Sequence, residues 1–128
     1  MSHPPIVDPR APHVERVRRL ALELPGADEK ISHGAPAFFT TKVFAYVAAH
    51  ERVDDELVLR ERALSVLLEE DERRALLAEG AFTPAYTGPS GWVAIDLDAI
   101  DDARLAELLD ASFRVTAPAR RVRELDAR

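Results

Sequence analysis

The chain has 128 residues, 47% of them hydrophobic, no cysteine and a formal charge of -6. These totals fit one folded domain with its own core, exclude disulfides, and leave any metal site only His, Asp or Glu as ligands. The charge is uneven: residues 51–112 hold sixteen acidic against six basic side chains, and residues 113–128 hold five arginines against two acids, so the middle of the chain repels phosphate backbones.

Residues 1–12 contain Pro4, Pro5, Pro9 and Pro12, which predicts an irregular arm before a single domain over 13–128. A helix is expected from about His13, because Val14, Val17, Leu20, Ala21 and Leu24 recur at helical spacing. Pro25-Gly26 ends it. Residues 27–50 read as strands: a short one over 29–33, a break at Gly34-Ala35-Pro36, then an antiparallel pair over 37–40 and 42–48. Both faces of the second member are apolar, as expected of a central strand. A polar turn is expected over 50–55 and a further strand from Glu56 to about Leu59. The stretch 61–68 can extend that strand, as Ala63 to Leu67 permit, or begin the next helix early; the preferred reading is a loop before a helix near 68–79, with Gly80 at its C-terminus.

Two strands follow, over 81–86 and 91–97, separated by the turn Thr87-Gly88-Pro89-Ser90-Gly91. The last long helix is announced by Asp101 as N-cap, with Ile100 and Leu105 placed for a hydrophobic staple. Leu105, Leu108, Leu109 and Ser112 share one of its faces, and a short helical turn is expected after Pro118. Strands grouped in the middle without regular strand–helix alternation point to an α+β fold. The missing signal-peptide core and the lack of a long apolar run lead to the expectation of a cytoplasmic protein with no membrane partner.

Several motifs recur together in order. Leu24-Pro25-Gly26 follows the first helix. Gly34-Ala35-Pro36-Ala37-Phe38, Lys42-Val43-Phe44-Ala45, Gly91-Trp92-Val93 and Leu109-Asp110-Ala111-Ser112-Phe113 come after it. In this set the chain resembles the MmcQ/YjbR-like family of small bacterial proteins. The resemblance implies a CyaY-like fold, in which a curved antiparallel sheet carries helices packed on one face. It also implies a DNA-binding label, without any reaction or catalytic residue to transfer.

No catalytic set is legible: no serine lies in a nucleophile elbow, and His3, His13, His33 and His50 lack metal-ligand spacing. Asp96, Asp98, Asp101 and Asp102 cluster before a helix and read as capping and dipole groups, so no metal and no cofactor is expected. The candidates for holding nucleic acid or an acidic ligand are Lys42, Arg60, Arg120, Arg121 and Arg123, with Tyr86 and Trp92 as stacking surface. The first reading is DNA bound weakly. The alternative is a non-enzymatic module that holds a small acidic ligand or a protein on the open face of the sheet, where His33, Lys42, Arg60, Tyr86 and Trp92 are expected to converge. A monomer is expected in either case.

Overall fold

The computed structural model describes residues 6–128; His3, Pro4 and Pro5 lie outside the described residues. Helix α1 spans Pro12–Ala21 and buries Val14, Val17 and Ala21. Pro12 stands in the first turn, where its missing N–H costs no intrahelical bond. Strands β1 (Asp28–Ser32) and β2 (Ala35–Phe39) pair antiparallel. The two residues between them, His33 and Gly34, both have positive φ, 53° and 83°, as in the tight hairpin turns that match strand twist. The expected break at Gly34-Ala35-Pro36 is therefore a hairpin. Pro36 is tolerated inside β2 because pairing with the next strand begins only at Ala37.

Strands β3 (Val43–Val53) and β4 (Glu56–Leu67) form the long central hairpin. Its turn is only Asp54-Asp55, with φ of 50° and 67°, so the expected turn over 50–55 contracts to two residues. The expected loop over 61–67 is strand. Leu64 and Val66 are needed on one face and Ala63 and Ser65 on the other, and all four are buried between β3 and the last strand. Helix α2 spans Glu70–Ala78, and Gly80 follows it at φ 105°. The expected strand over 81–86 reduces to one bridge between Phe82 and Ala94; Pro84 and the turns after it prevent a longer ladder. Strand β5 is Trp92–Asp96, α3 is Asp102–Thr116 and α4 is Ala119–Asp126.

The sheet order is β1-β2-β3-β4-β5, antiparallel throughout. The α+β class holds, but the curved CyaY-like sheet does not. The sheet is open rather than curled, because every strand pairs only with its neighbours in the chain and β1 and β5 end at opposite edges. The edge of β5 is covered by the Phe82 bridge and by α2 packed beside it, which protects unpaired backbone groups.

Cross-strand register fixes what each face carries. Phe38, Ala45, Val66 and Val93 form one row, and Val47, Leu64 and Ile95 the next. These rows pack against Val14 and Val17 of α1 and Leu105, Leu109 and Phe113 of α3 in one core cluster. A register shift between Phe38 and Phe39 leaves Phe44 unpaired in β3. Its ring turns to the helix side and meets Phe113 edge-on at 5.6 Å. The opposite face carries Ala37, Tyr46, Ser65, Ala94 and Phe82 as a single row.

Candidate functional site

The helix-free face is not bare. Phe82 closes over Ala49, Ala63 and Ala94, a small second cluster built of residues with little side chain. Beyond Phe82 the chain crosses toward β3, where the Ala85 N–H donates to the His50 carbonyl at 2.9 Å. On the other side the Ile6 N–H donates to the Gly34 carbonyl at 2.9 Å and holds the N-terminal segment against the β1–β2 turn. Between these two tethers lies a cleft of about 480 Å³, floored by Tyr46, Ala49 and Ser65 and walled by His33, His50 and Tyr86. That volume is in the range of small-molecule sites.

Two backbone features shape the cleft. Ala48 has φ 75° inside a strand, where a β-carbon is disfavoured. The pairing of β3 with β4 is irregular there: Val47 stands opposite Leu64 but Ala49 opposite Arg60. The extra residues of β4 are held from the helix side. His13 of α1 is buried, and its Nε2 lies 3.0 Å from the Glu61 carbonyl. A carbonyl only accepts, so the proton sits on Nε2 and Nδ1 is left to accept from Arg62 at 3.4 Å. His13 is thus a structural brace for the irregular stretch that borders the cleft. Strain kept at such a place is characteristic of binding sites.

The aromatic groups are arranged in two pairs. Tyr46 and Trp92 lie 5.1 Å apart between ring centres, and His50 meets Tyr86 edge-on at 5.5 Å. Burial pushes the Tyr46 phenol above its ordinary pKa, so it remains a protonated donor at neutral pH. Tyr86 is 69% exposed, an unusual position for a large ring with no protein partner beyond His50.

The residues singled out in the sequence separate into three places. His33 and Tyr86 reach the cleft, and Trp92 backs Tyr46 at one end of it. Lys42 and Arg60 do not join them. Lys42 is exposed in the turn before β3, whereas Arg60 lies opposite Ala49 near the other end of that strand, roughly 20 Å away at the rise of an extended chain. Arg60 is paired with Glu51 at 2.9 Å. Arg120, Arg121 and Arg123 sit on α4, and Arg121 pairs with Glu124 at 2.9 Å while lying over the backbone of Gly26. No Lys or Arg lines the cleft, although Arg60 shares the open face with Ala49 of its floor.

Tyr46 and Ser65 were not among the sequence candidates. Ser65 fell in the stretch read as loop, although the alternation of Ala63, Leu64, Ser65 and Val66 carries the two-faced strand signal. The acidic cluster is spent on structure. Asp96 accepts from the Asp98 N–H at 2.9 Å and Asp101 from the Arg104 N–H at 2.8 Å. Asp98 pairs with Arg62, and Asp102 with Arg16 and Arg19. Among the described residues no three His, Asp or Glu side chains come together as a metal-binding group, and no helix is long and apolar enough to cross a membrane.

An open antiparallel sheet with helices on one face and a strapped cleft on the other defines a small α+β protein. A family model described as YjbR matches residues 22–115, and the chain belongs to that family. No curated protein matches the chain.

Proposed function

We propose that this protein is a non-enzymatic binding module that holds a small molecule in the cleft on the helix-free face of the sheet. The observation that carries the reading is the cleft itself: about 480 Å³, bounded by backbone tethers on two sides and lined by His33, Tyr46, His50 and Tyr86. The reading takes residues 13–128 as one domain acting alone.

The nucleic-acid reading that comes with the family resemblance has less to support it. A phosphate-gripping surface needs unpaired cations on one face. Here Arg60 and Arg121 are held by carboxylates, Lys42 stands well along β3 from Arg60, and the exposed Arg120 and Arg123 lie on α4, outside the cleft. The formal charge of -6 adds long-range repulsion. We therefore infer at most weak, salt-sensitive DNA binding.

One titration series on the full chain tests both readings. With a mixture of small organic probes, amide shifts should gather at residues 47–50, 65 and 85–87. With duplex DNA at about 0.15 M salt, the Kd should stay above roughly 10 μM, in the non-specific range. Sub-micromolar DNA affinity, abolished by Lys42→Ala with Arg60→Ala, would overturn the preference. Probe-induced shifts scattered away from the cleft would remove the binding-module reading.

A further inference from the structure

The cleft has one deep polar group. Ser65 is 3% exposed and lies in the centre of the sheet between Tyr46 and Ala94. A serine so buried normally returns its hydroxyl to the protein, as Ser112 does to the Phe44 carbonyl at 2.6 Å. Ser65 does not: its Oγ has no hydrogen-bond partner among the described residues, and the side chain lines the cleft floor. The oxygen opens to the cleft, so it is available to bond to a molecule that enters.

The surroundings restrict what that something is. No carboxylate, ammonium or guanidinium group lines the cleft, so a cationic ligand would lose hydration without gaining a counter-charge, and the two imidazoles of His33 and His50 serve as hydrogen-bonding groups. Ala48 and Ala49 leave room at the floor where larger side chains would fill it. Tyr46 on the floor and the exposed Tyr86 on the wall offer ring surface, and aromatic rings gain most from packing against other flat rings. We propose that the cleft takes an uncharged, flat heteroaromatic molecule, with one polar edge hydrogen-bonded to the Ser65 hydroxyl and its ring packed against Tyr46 and Tyr86. This rests on the binding-module reading above and names the chemical class of its ligand.

The test compares four probes by amide shifts of the full chain: indole, its carbon-only analogue indene, glutamate and putrescine. Indole should shift the amides of Tyr46, Ala49, Ser65 and Tyr86 saturably, whereas glutamate and putrescine leave them in place. Ser65→Ala should weaken indole about five- to tenfold, the usual worth of one hydrogen bond, and leave indene unchanged. Tyr86→Ala, at a position too exposed to disturb the core, should weaken both ring probes. Saturable shifts of the same amides by glutamate or putrescine, without indole, would overturn the heteroaromatic class and leave the binding module standing. So would an equal loss of indole and indene affinity in Ser65→Ala. If none of the four probes shifts those amides, both readings fall.

Discussion

Two buried serines show how the same residue serves opposite ends. Ser65 faces the cleft unbonded, whereas Ser112 of α3 is fully buried and makes two bonds that tie helix to sheet. Its Oγ donates to the carbonyl of the bulged Phe44 and accepts from the Leu67 N–H at 2.9 Å, where β4 runs out of partners. Removing that oxygen strands one buried donor and one buried acceptor, each costing the desolvation of an unpaired group. Ser112→Ala should therefore destabilise the fold by about 2–4 kcal/mol, measured by urea unfolding, although it adds no bulk. A loss below about 1 kcal/mol would mean that water reaches these groups or that the backbone relaxes. The sequence placed Ser112 on the apolar face of the last long helix and within the motif Ala111-Ser112-Phe113, without naming its bonds. Its reason was hidden, because a bulge in β3 and the end of β4 are tertiary facts that no local periodicity records.

At the level of elements, the helices and the β2–β3 pair were legible, and the extent of the β1–β2 and β3–β4 hairpins was not. Helices α1 and α3 repeat apolar residues over several turns and carry their stop and cap signals in place: Pro25-Gly26 beyond the first and Asp101 at the second, whose side chain accepts from Arg104 N–H at 2.8 Å. The β1–β2 and β3–β4 turns are two residues long, built of His33-Gly34 and Asp54-Asp55. Neither is the Asn-Gly or Asp-Gly pair that marks such a turn in a sequence. The turn over 50–55 is expected from the sequence, but the strand after it is ended at about Leu59, and Ser65 and the cleft floor are lost with the rest of β4. The same geometry yields a prediction. Asp54 and Asp55 both hold positive φ, which asparagine tolerates better than most residues and glycine tolerates freely. The double change Asp54→Asn, Asp55→Gly should raise stability by about 1 kcal/mol, seen as a higher urea midpoint with an unchanged slope. A fall in stability would show that the two carboxylates contribute something other than turn geometry.

Across the whole molecule, the acidic excess is anchored by arginines that join separate elements. Arg18 of α1 grips Glu29 of β1 through two bonds of 2.6 and 2.8 Å. Arg16 of the same helix reaches Asp102 of α3 at 2.6 Å and the carbonyls of Leu97 and Ile100 at 2.7 Å. Arg62 of β4 holds Asp98. Two of the carboxyls held this way lie below the ordinary range: Arg62 lowers Asp98, and Arg16 followed by Arg19 lowers Asp102. Within α2, Arg73 and then Arg74 hold Glu70 down to about 2. A carboxylate with a depressed folded pKa contributes its full stabilisation above its unfolded value and loses it as pH falls through the folded value, because the unfolded chain takes up the proton first. The urea midpoint should accordingly drop as pH is lowered from about 4.5 toward 2, the interval between ordinary and depressed carboxylates. All three acids are exposed and screened by salt, so the drop should be modest and smaller in 1 M NaCl than in dilute buffer. Arg62→Ala with Arg16→Ala should flatten the low-pH slope while lowering stability at neutral pH. An acid profile identical in that double variant would show that the ion pairs between α1, β4 and α3 are not what holds the helical layer on the sheet, and would leave that task to the apolar rows beneath it.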